Sequence, residues 1–231
     1  MVQFIESELS VLKREIDEMW TLVYNQLDRA GEAVLTLDRK LAQQVLVHER
    51  RVNALELKID SEIEDVISLY HPAAIELRFV LAMLKINSNL ERLGDFAEGI
   101  ARFVINCKEP ALDAELVKEL RLTEMIQQVL EMLEQAKRAF NEESQELATA
   151  VFGKDALIDE INAHATTVLA RYISQHADSV LPCLNLVGVF RKLERAGDHI
   201  TNIAEELVFF IDAKVLKHSG MTDEHYPTEN K

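Results

Sequence analysis

The chain has 231 residues, with 40 acids against 25 Lys and Arg, a formal net charge of −15, and only seven Gly and four Pro. That field repels nucleic acid and anionic lipid surfaces, and leaves proteins, cations or a basic patch on something larger as partners. No apolar run reaches the roughly 18 residues a bilayer span needs, and the segment Met1 to Glu6 lacks the basic-then-apolar plan of a signal peptide, so a cytoplasmic protein without membrane insertion is expected.

So few breakers in so long a chain predict long helices. Leu9, Leu12, Ile16, Met19, Val23 and Ala30 recur mostly at steps of three and four, which predicts a first helix from Ile5 to about Arg29 that stops near Gly31. Its heptad-like stripe could supply a homodimer face. A second helix is expected from near Leu37 to Leu69, ended by His71-Pro72, because the residue before Pro disfavours the helical region. The third should run from Pro72 to about Ile105, and the segment Asn106 to Pro110 marks the boundary between halves. A fourth helix is predicted from an N-cap at Asp113 to about Val151, interrupted at Gly153. The fifth carries Leu157, Ile161, Val168 and Tyr172 and ends near His176; the sixth begins at Asp178 or Ser179 and fades after Ile211. Residues 219–231 have no apolar periodicity and read as a mobile tail. With no strand pattern present, the prediction is an all-α fold of two repeated three-helix bundles, residues 1–108 and 109–218, packed side by side with pseudo-twofold symmetry.

One packet ties the halves together. Leu90-Glu91-Arg92-Leu93-Gly94-Asp95 is written again as Leu193-Glu194-Arg195-Ala196-Gly197-Asp198, and Ile100-Ala101 is answered by Ile203-Ala204, all at an offset of 103. On a helix, residues four apart differ by about 40° of rotation, so Glu91 and Asp95 share a face, as do Glu194 and Asp198. Such like-charged pairs repel, and a mid-helix Gly costs about 1 kcal/mol relative to Ala. Making both choices twice suggests close approach by another backbone or an ion, together with a compensating positive charge. Arg92 and Arg195 could supply that charge, although each sits about 100° round the helix from its preceding Glu. A cation held between helices would satisfy both carboxylates more directly.

Partner acids occur on the neighbouring helices. Asp155 and Asp159 are four apart on helix five, and Glu49 and Asn53 on helix two, where the second carboxylate is an amide that brings no charge. Glu98 could extend the first site and Asn202 the second, while Glu56 and Asp60 share a further face of helix two. A solvated acidic surface is the competing reading for each of these. Oxygen ligands suit Mg, Ca, Mn or oxidised iron, and zinc also accepts carboxylates. None of the seven His completes an HxxxH or a Glu-x-x-His motif, which argues against an oxygen-activating dimetal enzyme, and His199 is expected on a helix surface. Cys107 and Cys183 read as ordinary reduced thiols. Neither a Gly-rich phosphate loop nor a concentrated Arg/Lys pocket is visible.

These packets resemble the PhoU family of phosphate-transport regulators over roughly residues 5 to 212. The resemblance rests on the duplicated Glu-Arg-(apolar)-Gly-Asp, the Asp155 to Asp159 element and His71-Pro72 before the third helix. It implies a non-enzymatic cytoplasmic regulator, often dimeric, that restrains phosphate uptake and the phosphate-starvation response. Its partners would be the ATPase subunit of a phosphate ABC transporter and a sensor histidine kinase. It further implies multinuclear iron or zinc clusters, with Glu91, Asp95, Glu49 and Asn53 as ligands in the first half and Glu194, Asp198, Asp155 and Asp159 in the second. Asn53 departs from the family's acidic pattern. The alternative function is a metal-free helical scaffold, in which the glycines serve helix packing.

Overall fold

The computed structural model describes residues 2–218, with side chains over 5–212; the tail predicted at 219–231 lies outside the described residues. Every regular element among the described residues is helical. The first half is α1 (Val2–Thr36), α2 (Arg39–Tyr70) and α3 (Ile75–Asn106). In the second half come α4 (Ala114–Glu119), α5 (Leu122–Glu142), α6 (Gln145–Phe152), α7 (Asp155–Gln175) and α8 (Val180–His218). No helix is long and apolar enough to cross a membrane among the described residues.

Gly31 does not stop the first helix. A Cβ there would fall 2.6 Å from Ile126 Cγ2 on α5, so the glycine admits a neighbouring helix while α1 continues to Thr36. The chain turns where Leu37 adopts φ 50° and Asp38 caps α2 by accepting the N–H groups of Lys40 and Leu41. His71 in the left-handed region closes α2, as the His-Pro pair predicted, but α3 begins at Ile75 rather than Pro72.

The helix predicted from 113 to 151 is three helices. Arg121, at φ 55°, bends the chain between α4 and α5, and its guanidinium holds the bend by pairing with Glu124 and with Glu160 of α7, both at 2.7 Å. Glu143, at φ 50°, ends α5, and Ser144 caps α6 by accepting the N–H of Leu147. The hairpin turn of the second half therefore lies at residues 143–144, matching 37–38 of the first. Gly153 has an ordinary φ of −72° and only separates α6 from α7, which together stand where α2 stands in the first half.

Helix α3 lies along α8 in the most extensive helix pairing of the molecule. The two run antiparallel: Phe79 meets Phe210 and Lys85 meets Glu206 at one end, while Gly99 meets Lys192 at the other. A second junction joins α1 to α5, where fully buried Trp20 stacks on Phe140 and donates its indole N–H to the Leu133 carbonyl at 3.1 Å. The antiparallel α3–α8 pair brings the two packets, 103 residues apart in sequence, to the middle of one seam.

Candidate functional site

Each packet glycine makes room for a carboxylate from the preceding long helix. A Cβ on Gly94 would lie 3.1 Å from both Glu49 Oε2 and Val52 Cγ1 of α2. On Gly197 it would lie 2.7 Å from Asp155 Oδ1 and 3.0 Å from Ile158 Cδ1 of α7. The mid-helix glycines predicted to admit a backbone or an ion thus admit an acidic side chain.

Glu49 is only 4% exposed, and its Oε2 accepts a hydrogen bond from the Gln26 side chain of α1, itself buried. Oε1 has no partner. Burial pushes the Glu49 carboxyl up to about 7; the Gln26 hydrogen bond opposes this, and Asp95, Glu98 and Glu91 add to it by repulsion. Around it the first half supplies its own cations. Arg92 pairs with Asp95 at 3.0 Å and lies 3.7 Å from Glu91, and Arg102 pairs with Glu98 at 2.7 Å. Glu91 is raised by burial first, then by Asp95 and Glu56. Asp60 is tied down structurally, since buried Asn87 of α3 donates to its Oδ1 at 2.9 Å and to the Glu56 carbonyl at 3.0 Å.

The second half has no such ion pairs. Asp155, Asp159, Glu194 and Asp198 form no ion pair or side-chain hydrogen bond among the described residues. Asp155 Oδ1 is buried without a partner. Burial raises the Asp155 carboxyl, then Asp159 and Asp198; Glu194 is raised by burial, then by Asp198, Asp159 and Asp155, with Arg195 opposing. Arg195 has turned away to lie over the ring of Phe96 in the other half, 5.0 Å from its centroid.

The expected ligands therefore gather in two electrostatically coupled groups, Glu49 with Glu91, Asp95 and Glu98, and Asp155 with Asp159, Glu194 and Asp198. Asn53 and Asn202 are exposed and join neither by any side-chain hydrogen bond. As the side chains stand, no three His, Cys, Asp or Glu among the described residues converge closely enough to hold a metal ion. The donors nonetheless fit a hard cation in chemistry, because all are oxygens and each group contains a buried carboxylate oxygen without a partner.

His199 departs from its expected place on a helix surface. It is partly buried against Phe96, with ring centroids 5.4 Å apart, and its Nδ1 lies 2.7 Å from Asn89 Oδ1. Gln26 was missed, although a signal existed: the apolar stripe of α1 skips from Val23 to Ala30, and Gln26 fills the vacant position facing the core.

The chain matches the PhoU domain over residues 16–104 and again over 122–207. It is 31% identical over 212 residues to phosphate-specific transport system accessory protein PhoU homolog 1 of Thermotoga maritima, covering 92% of this chain and 90% of that one. Identity to the PhoU homolog of Pseudomonas aeruginosa is 31% over 228 residues, covering 99% and 93%. The crystal structure of PhoU from Pseudomonas aeruginosa superposes with a TM-score of 0.81 at 29% identity, over 90% of this chain and 98% of that one. That of the phosphate transport system regulatory protein PhoU from Streptococcus pneumoniae gives 0.77 at 26% identity, over 89% and 96%. With both halves matched and the all-helical fold shared, this chain belongs to the PhoU family.

Proposed function

We propose that the chain regulates phosphate uptake as an accessory protein of a phosphate transport system, acting by binding and not by catalysis. Its support is that accessory proteins so named align with 92% and 99% of the chain, across both halves. In the finer reading the chain works in the cytoplasm as a homodimer, restrains a phosphate ABC transporter through its ATPase subunit, and couples it to a sensor histidine kinase. That reading rests on the family resemblance.

The observation that carries a mechanism is the uncompensated acidic face of the second half. Asp155, Asp159, Glu194 and Asp198 would hold a cation, with Glu49, Glu91 and Asp95 as the weaker set in the first half. Iron or zinc, in a multinuclear cluster, fits the resemblance, and Mg, Mn or Ca would fit the oxygen donors equally. The bound group would supply positive charge that cancels the carboxylates' repulsion. Without it, Asp155 and Asp159 on α7 repel Glu194 and Asp198 on α8 and hold the two helix faces loosely. Brought together, the four side chains clamp α7 to α8 and fix the surface shown to the transporter and kinase.

Two measurements test this. Cells lacking the protein should take up more phosphate when phosphate is plentiful, and restoring the chain should reverse it; unchanged uptake contradicts the regulatory role. Protein purified without a chelating column should contain metal and melt lower after chelator, and Glu194→Gln with Asp198→Asn should lower the metal content. Metal-free protein with an unchanged melt favours the scaffold reading, to which the Arg92 and Arg102 ion pairs of the first face already lend support.

A further inference from the structure

One buried carboxyl pair lies outside both acidic faces. Glu15 of α1 is only 7% exposed, and its Oε1 accepts a hydrogen bond from the Lys58 ammonium of α2 at 2.5 Å. Lys58 also stands 3.5 Å from Glu62 Oε1, one turn further along α2. The remaining oxygens, Glu15 Oε2 and Glu62 Oε2, are both buried, and neither has a hydrogen-bond donor among the described residues. The two carboxyl groups themselves lie within hydrogen-bonding reach of one another. Two ionised carboxylates offer only acceptors, so they cannot bond until one of them carries a hydrogen.

Charge selects what fills the gap. With all three groups ionised, Glu15, Lys58 and Glu62 leave one negative charge over, and the cations on the surrounding helices are engaged elsewhere. On α1, Lys13 reaches Glu143 of α5 at 2.8 Å and Arg14 is exposed; on α2, Arg51 pairs with Glu18 at 3.2 Å. On α5, Lys137 pairs with Asp17 at 3.2 Å, and on α3, Lys85 reaches across to Glu206 at 2.7 Å. Asp60, about 200° round α2 from Glu62, is held by Asn87 of α3 and so faces away. A metal ion would need further ligands, and no three acids, His or Cys converge on one point among the described residues. A proton needs none: it cancels the surplus charge and becomes the missing donor.

The electrostatics agree with the geometry. Burial first, and then the hydrogen bond and charge of Glu15, raise the Glu62 carboxyl above its ordinary 4.5, with Lys58 opposing. The pair also sits at a mechanically useful place. It joins α1 to α2 five residues before Trp20, the side chain that α1 packs against Phe140 of the second half.

We propose that Glu15 and Glu62 share one proton, and that this proton fastens α1 to α2. While it is held, the contact is a neutral chain of carboxyl, carboxylate and ammonium joining the two helices. Once it is lost, two anions face each other with a single ammonium between them, and α1 is held less firmly. A carboxyl whose value is raised by folding stabilises the fold fully below its ordinary 4.5, and that contribution is lost as pH rises through the folded value. The device is separate from the acidic faces and needs no metal.

The test is carboxyl NMR titration of the full chain in buffer containing chelator, with melting curves at pH 5 and pH 8. Glu62 should titrate above its ordinary value, and the Glu15 resonance should move at that same step, as a shared proton requires. Glu15→Gln removes the partner and should lower the Glu62 midpoint, whereas Lys58→Met removes the ammonium and should raise it further. Burial alone would leave the midpoint indifferent to Glu15. Glu62→Gln keeps a donor for Glu15, so it should raise the melting temperature at pH 8 and change it little at pH 5. Glu64→Gln, on the exposed side of α2, should change neither. Should Glu15→Gln fail to fold, Lys58→Met and Glu62→Gln still decide. A Glu62 midpoint at the ordinary value, one that Glu15→Gln and Lys58→Met both leave in place, or equal melting shifts of Glu62→Gln at the two pH values overturns the proposal.

Discussion

The two acidic faces share a frame and differ in charge. In each, a packet glycine leaves room for a carboxylate from the preceding long helix, Glu49 against Gly94 and Asp155 against Gly197. In the first, Gln26 holds the buried acid while Arg92 and Arg102 pair with the outer ones. In the second, four electrostatically coupled carboxylates on α7 and α8 have no ion pair or side-chain hydrogen bond among the described residues, and Arg195 lies over Phe96. The difference teaches that duplication preserved a notch but not its electrostatics: the first face is neutralised from within, and the second asks for charge from outside.

The largest expected effect concerns the buried acid of the first face. The folded protein raises the Glu49 carboxyl from 4.5 to about 7, so between those values the folded state binds more protons than the unfolded state. Stability from this group is complete below pH 4.5 and is lost as pH rises through about 7. Glu49→Gln should keep a neutral partner for Gln26 and stabilise the protein at pH 8 by about 1–3 kcal/mol, with little change at pH 4. Denaturant melts at the two pH values check it, and equal effects at both would contradict it. Asp155, Glu194 and Glu91 are shifted in the same direction, so each should also cost metal-free wild type stability as pH rises, and cation binding at the second face should oppose the loss.

A smaller effect should separate the glycines. Gly94→Ala pushes a methyl against the stiff side chain of buried Val52 and against a carboxylate fixed by Gln26, and should destabilise by about 1 kcal/mol. At Gly197 the crowding atoms, Asp155 Oδ1 and Ile158 Cδ1, are the far ends of side chains that can swing aside. There the gain in helix propensity, about 1 kcal/mol, should offset the strain and leave the melting temperature nearly unchanged. Equal losses at both glycines would show that the notches are equally rigid.

The smallest effect should come from the arginines. Arg92→Gln removes an exposed pair worth about 0.5 kcal/mol and should raise the Glu91 titration midpoint, followed by carboxyl NMR. Arg195→Gln should move the Glu194 midpoint less, since that guanidinium sits over Phe96. The reverse order would mean that Arg195 neutralises its own packet after all.

What was legible in the sequence was what repeats. The packet, its offset and the long helices follow from periodicity, and the acid on the preceding helix follows from spacing. Less legible was everything set by single residues or by helix pairing. Gly31 read as a break but instead admits Ile126, and Gly153 does separate α6 from α7 as expected, but the hairpin turn lies ahead of it and rests on Glu143 in the left-handed region and the Ser144 cap. The asymmetry of the faces was half visible: Asn53 signalled it, but its main cause is where two arginines point, which no one-dimensional pattern records.

The most direct test of the claim that the second face is the cation site is metal content by elemental mass spectrometry, on wild type, on Asp155→Asn with Asp198→Asn, and on Asp95→Asn, all purified without a chelating column. The account predicts metal in the wild type, its loss in the second-face variant and its retention in Asp95→Asn. A metal-free wild type, or metal lost only in Asp95→Asn, would contradict it.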